Sequence, residues 1–238
     1  MIKFFRSVRK RLLTENKLSK YMLYAVGEII LVVIGILIAL QINSWKENQK
    51  LKSLETETLI ELKEALIQDT LVLTTNLEIL RIKNIESSEL IAHVEHKKPY
   101  IKRLDTLMMQ VYYNRGYNTF NTAAFELLKD RGFGIIKNKD LRKQITKHYT
   151  TDFADISSIL SRLDQINLIQ GENMYKNFKI SGVLIHAYNY EELINNPRII
   201  GPFSHFETIN GAYFSRLNEF KIKTKNLLSV INTELNKQ

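Results

Sequence analysis

The chain contains no cysteine, and it has few residues that break helices. Among its 238 residues there are only three prolines and nine glycines. The absence of cysteine excludes disulfide bonds, thiolate metal sites and cysteine nucleophiles. The scarcity of proline and glycine, with long stretches that contain neither, favours long helices over a turn-rich β architecture. We find no run of residues with a β-strand pattern and no internal repeat.

One long stretch almost lacks charge. Residues Tyr21–Ile42, YMLYAVGEIILVVIGILIALQI, are 22 in number and carry one formal charge, that of Glu28. A helix of this length extends about 33 Å, which matches the roughly 30 Å hydrocarbon core of a bilayer. We therefore predict a single transmembrane helix at 21–42. Because this apolar region is longer than that of a signal peptide and no A-x-A site follows it, an uncleaved signal-anchor is favoured over a cleaved leader.

The net charge of +9 is unevenly distributed along the chain. Residues 1–20 contain seven Lys or Arg and one Glu, whereas the 20 residues after the predicted span contain three Lys and four Glu. This asymmetry follows the positive-inside rule, which predicts a cytoplasmic N-terminus and an exported C-terminal part. A basic excess on one side of an apolar span indicates a membrane surface as its partner rather than nucleic acid.

The first 20 residues alternate apolar and basic side chains at helical spacing. Ile2, Phe5, Val8 and Leu12 share one face of a helix. A basic amphipathic helix on the anionic inner leaflet fits this pattern, and a disordered basic tail is the alternative. The residues expected to contact the membrane surface are Lys3, Arg6, Arg9, Lys10 and Arg11.

Small and polar residues of the predicted span lie on one face. Glu28, Val32, Gly35 and Ala39 follow each other at intervals of four, three and four residues, which is helical spacing. The pair Gly35-x-x-x-Ala39 lets two helices approach closely in lipid. We predict that these four residues form an intramembrane contact. Three interpretations of Glu28 are open: a hydrogen bond to a partner helix, pairing with a nearby Lys at the interface, or a part in ion or proton movement.

Residues 43–238 are expected to form an all-α, antiparallel helical bundle. From Asn43 to about Val94 there is neither glycine nor proline, which predicts one long helix that continues from the span. The predicted organisation is therefore a cytoplasmic basic segment at 1–20, a transmembrane helix at 21–42 and a periplasmic helical domain at 43–238.

Capping residues predict where the later helices begin. Asn138 is expected to cap a long helix from Lys139, and Ser204-His205-Phe206-Glu207 has the form of a capping box that opens the last helix. A short helix is expected at Ala123–Asp130, and the segment 180–203 reads as irregular with one helical turn.

No residue pattern indicates catalysis. His93 and His96, with Glu89 one turn earlier, have a spacing that suits zinc, but a solvated polar helix end is the preferred interpretation. The GFG turn at 132–134 lacks the preceding strand and the following Lys-Ser/Thr of a phosphate loop. We expect no enzymatic activity, no cofactor and no metal site.

Aromatic and amide side chains are concentrated between Tyr112 and Asn121. Such side chains suit contact with a small ligand or a protein, and the alternative is a loop whose rings close the end of the bundle. The candidate recognition residues are Tyr112, Tyr113, Asn114, Arg115, Tyr117 and Asn118.

Two stretches resemble a known family. LSKYMLYAVGEIILVVIGILIALQINSW (Leu18–Trp45) closely resembles the N-terminal segment of a family of single-pass inner-membrane proteins of Bacteroidota, including flavobacteria, whose domain has no assigned function. NTAAFELLKDRGFGIIKNKDLRKQITKHY (Asn121–Tyr149) is similar to the second signature of that family. The resemblance implies an inner-membrane protein with a periplasmic soluble part and supplies no catalytic residues. The positions that carry the second signature are Asn138, Leu141, Arg142 and Tyr149.

These observations favour a non-enzymatic, membrane-anchored interaction or sensor-like protein that binds a protein or a small ligand. Its expected partners are the lipid bilayer and either another membrane or periplasmic protein or a second copy of the chain. The alternative is an accessory subunit of an envelope transport or ion-driven complex, in which Glu28 acts within the membrane.

Overall fold

The computed structural model describes residues 18–112 and 120–237. These residues are mostly helical, which confirms the predicted all-α class. The chain divides into an N-terminal unit, Met1–Leu54, and a C-terminal unit, Glu55–Gln238. The elements in chain order are α1 (Leu18–Glu95), α2 (Arg103–Tyr112), α3 (Ala123–Arg131), a 3-10 turn (Phe133–Ile135), α4 (Lys139–Lys147), a π-turn (His148–Asp152), α5 (Phe153–Asn177), β1 (Phe178–Ser181), β2 (Leu184–Ala187), α6 (Tyr190–Asn195) and α7 (Pro197–Leu235).

The described part of the N-terminal unit belongs to α1. Its most apolar 18-residue window has a mean hydropathy of 2.7, and none of that window is buried. The segment is therefore long and apolar enough to cross a membrane. The prediction of one helix that continues from 21–42 is confirmed, since α1 runs to Glu95. The five basic residues predicted to contact the membrane surface, Lys3, Arg6, Arg9, Lys10 and Arg11, lie outside the described residues.

Three clusters of buried apolar side chains hold the C-terminal unit together. Each cluster includes residues of α1, because that helix presents leucines at intervals of three, four and seven residues. The first cluster joins Leu59, Leu62 and Leu66 to α3, α4 and α7. The second joins Leu73, Leu77 and Leu80 of α1 to Ile156, Tyr213, Leu217 and Phe220. The third surrounds Leu90, Ile91 and Val94 with residues of α2, the two strands, α6 and the start of α7.

Buried polar residues of α1 separate the apolar clusters along that helix. Asp69 is 3% exposed and lies between the first and second groups of leucines, while Lys83 and Ser87 lie between the second and third. Buried polar groups are retained only where hydrogen bonds or ion pairs compensate for the loss of water. Asp69 accepts a hydrogen bond from the backbone N–H of Asn121, so this buried polar group of α1 lies next to the start of α3.

The expectation that the chain contains no β-strand is wrong. β1 and β2 form an antiparallel hairpin in which Phe178 pairs with Ala187 and Ser181 pairs with Leu184. Gly182 closes the turn with φ of 61°, a left-handed conformation that glycine adopts without steric cost. Strands of four residues are too short to show a period of two, and the burial of Ile185 comes from distant contacts with α2 and α7.

The last helix begins earlier than its capping box suggests. α7 starts at Pro197, and the Asn196 side chain accepts a hydrogen bond from the backbone N–H of Arg198 at 3.0 Å. Asn followed by Pro is a strong start signal, because Pro at the first helical position has no N–H to leave unpaired. Ser204 therefore lies inside the helix, even though Pro202 precedes it. In contrast, the predicted cap of α4 is confirmed, since Asn138 accepts hydrogen bonds from the N–H groups of Asp140 and Leu141.

Candidate interaction site

The residues predicted to form an intramembrane contact all belong to α1. Glu28 and Val32 line a shallow groove of about 370 Å³ together with Ala25, Ile29 and Val33. Gly35 and Ala39 do not line that groove. The surface of α1 at Gly35 is open, since a Cβ added there would meet nothing within 4 Å. The structure thus brings half of the predicted contact, Glu28 and Val32, into one surface groove.

The predicted recognition loop is described only at its ends. Tyr113, Asn114, Arg115, Tyr117 and Asn118 lie outside the described residues, and Tyr112 is the last residue of α2. At the other end, the ring of Phe120 packs edge-on against Phe220 and Phe153, with centroid distances of 5.5 and 5.8 Å. The described end of this stretch is therefore part of the core.

Asn121, which follows Phe120, fastens the start of α3 to α1. Its backbone N–H donates a hydrogen bond of 2.9 Å to Asp69 Oδ1. Its own side-chain oxygen accepts a hydrogen bond from the N–H of Ala123 at 3.0 Å, which satisfies one of the free N–H groups at the helix start. The entry of the chain into α3 is thereby held at a buried carboxyl group of α1.

Arg131 fastens the other end of α3 to α1. Its Nη1 donates to Thr58 Oγ1 and Glu61 Oε2, each at 2.9 Å, and its Nη2 donates to Glu57 Oε1 at 2.9 Å. The Arg131 side chain is only 20% exposed, so these charge-assisted bonds are partly shielded from water. Asn121, before the start of α3, contacts residue 69 of α1, and Arg131, at the end of α3, contacts residues 57–61. α3 therefore runs antiparallel to α1.

Apolar side chains pack between the contacts made by Asn121 and Arg131. Phe125 and Leu128 of α3 lie in the same buried cluster as Leu59, Leu62 and Leu66 of α1. The rings of Phe125 and Tyr149 stack at 4.7 Å, which extends the cluster to the π-turn. Polar bonds at both ends and the buried side chains of Phe125 and Leu128 between them hold α3 against α1.

The outer faces of these two helices enclose a groove of about 500 Å³. Its lining contains two carboxylates and no Lys or Arg, and comprises Glu61, Glu64, Ala65, Ile67, Gln68, Asn121 and Ala124. We call this the α1–α3 groove. Ile60 (43% exposed) and Leu71 (59%) share a face of α1 with Ile67 of the lining, and Leu127 of α3 is 37% exposed. Ile67, within the lining, is 39% exposed. Glu61 is paired with Arg131, so the site combines an apolar surface with one carboxylate, that of Glu64, that has no ion pair among the described residues.

Sequence reasoning missed this groove, although one signal for it was present. Ile60, Ile67 and Leu71 recur at intervals of seven and four residues on α1, a spacing that places them on one face. The buried row Leu59, Leu62 and Leu66 lies on another face, so the segment is apolar on two sides. The spacing therefore indicated a second apolar face on this segment of α1, and Ile60, Ile67 and Leu71 are indeed exposed.

A buried polar layer lies beneath the Asn121 end of the groove. Burial raises the pKa of Asp69 to about 6, and the hydrogen bond from the Asn121 N–H opposes that rise. Burial also raises the pKa of Tyr149, and the negative charge of Asp69 adds to the effect. A carboxyl group that titrates near pH 6 therefore holds α3 in place.

The π-turn, which contains Tyr149, also contains a histidine with a shifted pKa. His148 is buried, and its ring stacks on Phe220 at a centroid distance of 4.9 Å. Burial lowers the pKa of His148 to about 4; the charge of Asp152 opposes this shift and that of Lys223 adds to it. Lys223 Nζ lies 3.0 Å from Asp152 Oδ1 and 3.1 Å from Glu219 Oε1. Arg216 Nη1 also lies 3.7 Å from Glu219 Oε2, so two cationic groups balance the two carboxylates beside the π-turn.

A second carboxylate–histidine arrangement lies beside β2. Asp105 Oδ2 accepts a hydrogen bond from the Tyr100 hydroxyl at 2.7 Å and lies 2.8 Å from His186 Nδ1. Such a contact fixes the orientation of an imidazole ring, as in general-base sites. Among the described residues, no serine or threonine hydroxyl is hydrogen-bonded to His186. The arrangement as it stands ties α2 to the hairpin.

The histidines singled out for a metal site bind backbone carbonyl groups instead. His93 Nε2 lies 2.9 Å from the Pro99 oxygen, and His96 Nδ1 lies 2.7 Å from the Ala92 oxygen. Glu89 binds Arg103 through both carboxylate oxygens, at 2.5 and 2.6 Å. Within the described ranges, no group of three or more His, Asp or Glu side chains is placed to hold a metal ion.

Comparison of the chain with protein-family models, with curated proteins and with solved structures finds no match.

Proposed function

We propose that this chain is a non-enzymatic, membrane-anchored interaction or sensor-like protein. Residues 21–42 lie in a bilayer, and the C-terminal unit binds a protein or a small ligand. The observation that carries this proposal is the exposure of the apolar part of α1, where Leu23 is 78% exposed and Leu31 67%. An exposed apolar surface of this extent requires lipid or another protein to cover it.

The distribution of charge supports one orientation in the membrane. Seven Lys or Arg precede the span within 20 residues, so the N-terminus is placed in the cytoplasm and the C-terminal unit in the periplasm. The resemblance of Leu18–Trp45 to single-pass inner-membrane proteins of Bacteroidota supports the same arrangement. The α1–α3 groove is then available to periplasmic partners.

Membrane fractionation and a reporter fusion test the proposal together. We expect the full chain, produced in a Gram-negative host, to stay in the membrane pellet after alkaline carbonate extraction. Alkaline phosphatase fused after Gln238 should be active, because this reporter folds only in the periplasm. The double variant Ile30→Asp, Ile36→Arg should enter the soluble fraction, since charges near a helix centre oppose insertion by about 3 kcal/mol each. Release of the native chain by carbonate, or an inactive fusion, would refute anchoring or orientation respectively.

The groove that contains Glu28 favours a second candidate function. Glu28 is flanked there by Ala25, Ile29 and Val32 on one face of α1, which suits contact with a partner helix in lipid. In this candidate, the chain is an accessory subunit of an envelope transport or ion-driven complex, and Glu28 hydrogen-bonds or transfers protons within it. Glu28→Gln should then impair assembly with co-purifying membrane proteins, while Gln41→Glu near the end of the span serves as the matched control. Unchanged assembly and growth with Glu28→Gln would rule this candidate out.

A further inference from the structure

We infer that the α1–α3 groove binds an amphipathic α-helix of a partner protein, with an apolar ridge flanked by Lys or Arg side chains. This inference rests on the proposed function, because it names the kind of partner that the interaction protein takes. It is carried by three independent properties of the groove: its floor, its apolar borders and its charge.

The floor of the groove admits another helix at close range. Ala65 of α1 and Ala124 of α3 both line it, and neither has side-chain atoms beyond Cβ. Helices pack at interaxial distances of 8–10 Å, and the shortest distances need small residues at the contact. The floor is also pre-formed, because Asn121 and Arg131 hold the two ends of α3 on α1. A partner therefore meets no large cost for ordering the site.

The apolar borders fit a helix rather than a small molecule. Ile60 and Leu71 are eleven residues apart on α1, so the apolar surface is about 16 Å long. That length corresponds to three turns of a docked helix, which presents side chains at i, i+3 or i+4, and i+7. A small ligand in the 500 Å³ groove would leave Ile60 and Leu71 exposed on α1.

The charge of the groove selects a basic partner. Glu64, which is exposed, forms no ion pair with any residue in the described part of the chain, and Glu61 is 32% exposed in its contact with Arg131. Residues 1–20 supply +6 of the net charge of +9, so the remaining 218 residues share only +3 and the charge of the groove is set by its own side chains. Lys or Arg on a partner helix would pair with Glu64, and a carboxylate or phosphate group there would be repelled.

Binding of designed helical peptides to the full chain in nanodiscs of zwitterionic lipid tests the inference. The probe is a fluorescein-labelled 18-residue helix with a Leu ridge flanked by Lys, and the comparison peptide carries Glu in place of every Lys. Fluorescence anisotropy, with empty nanodiscs subtracted, measures both dissociation constants. We expect the Lys peptide to bind at least about tenfold more tightly than the Glu peptide, which corresponds to roughly 1.4 kcal/mol.

Substitutions at the groove locate the binding site. Glu64→Lys and Leu71→Ser change exposed side chains, and each should weaken the binding of the Lys peptide about tenfold or more. Asp140→Lys makes the same charge change on α4, outside the groove, and should leave the affinity unchanged. Circular dichroism melts that match those of the native chain show that the variants are folded. Equal binding of the Lys peptide to the native chain and to Glu64→Lys would overturn the inference.

Two further results would overturn the inference that a basic helix binds the α1–α3 groove, and neither would affect the proposed anchoring. Tighter binding of the Glu peptide would show that the charge argument is wrong. Dimers of the native chain in sedimentation, abolished by Leu71→Ser without any peptide, would show that a second copy occupies the groove. Anchoring is measured separately by carbonate extraction, so failure of one proposal does not imply failure of the other.

Discussion

Asp69 and Asn121 join two helices that are far apart in sequence, since the backbone N–H of Asn121 donates a 2.9 Å hydrogen bond to the buried carboxyl group of Asp69. This bond fixes the start of α3 on α1 and with it one end of the α1–α3 groove. Because burial raises the pKa of Asp69 to about 6, the carboxyl group that makes the bond changes charge in a mildly acidic range.

Replacing Asp69 with Asn should make the C-terminal unit less sensitive to rising pH. The folded-state pKa of about 6 lies above the ordinary value of 3.8, so the folded state holds more protons than the unfolded state between these values. Native stability therefore falls as pH rises from about 4 to 6, by at most about 3 kcal/mol. Asn keeps an acceptor oxygen for the Asn121 N–H and does not ionise. Thermal melts of both proteins at pH 4, 5, 6 and 7 should show Asp69→Asn gaining several degrees relative to the native chain.

Replacing His148 with Gln should have the opposite pH dependence. The folded-state pKa of about 4 lies below the ordinary 6.5, so the unfolded state binds the proton first as pH falls. Stability from the neutral, buried ring is complete above pH 6.5 and is lost as pH falls toward 4, by at most about 3 kcal/mol. The native chain should therefore lose stability relative to His148→Gln over this range. Exposed His205 on α7 supplies the control, and a pH profile of His205→Gln equal to that of His148→Gln would contradict the burial argument.

Arg131→Ala should destabilise the C-terminal unit by about 1–3 kcal/mol, because it removes three charge-assisted hydrogen bonds between α3 and α1. Lys129→Ala is the matched control on the same helix, since the Lys129–Glu126 pair is 47% and 57% exposed and such pairs contribute little. Urea unfolding followed by circular dichroism measures both effects. Equal losses of stability in the two variants would contradict this prediction, because the Arg131 hydrogen bonds would then contribute no more than an exposed ion pair.

Asn138→Ala should cost about 1 kcal/mol through loss of the α4 cap. The Asn138 side chain accepts hydrogen bonds from two backbone N–H groups and donates one of 2.9 Å to Glu234 Oε2 near the end of α7. Asn138→Ser keeps a capping oxygen but not the contact with Glu234, so it should fall between the native chain and Asn138→Ala. The order of the three melting temperatures checks this, and a Ser variant as unstable as Ala would assign the whole effect to Glu234.

Features set by neighbouring residues were predicted well. The helix at 21–42, its continuation through residues 43–94, which contain no glycine or proline, and the cap at Asn138 were each predicted from a short stretch of chain. Helix periodicity and capping are local effects, so their residues carry the information by themselves. The same local logic failed at Ser204, where a capping-box pattern lies seven residues inside a helix that Asn196 and Pro197 had already started.

Features set by distant residues were not predicted. The hairpin at 178–187 is buried by α2 and α7, and its four-residue strands carry too little pattern to be recognised. The α1–α3 groove depends on Asp69 meeting Asn121 and on Arg131 meeting Glu61, pairs separated by 52 and 70 residues. Nothing in the local sequence specifies which of many carboxylates those groups bind.

The sequence by itself determined an apolar helix with one formal charge that is long enough to cross a bilayer, the excess of basic residues before it and the helical class of the remainder. Only the tertiary structure decided that α3 lies antiparallel on α1, that Ala65 and Ala124 come together on one floor, and that Asp69 is buried. The physical reason is that hydropathy and helix propensity are summed over neighbours in the chain. A groove and a shifted pKa arise instead from contacts that exist only after folding.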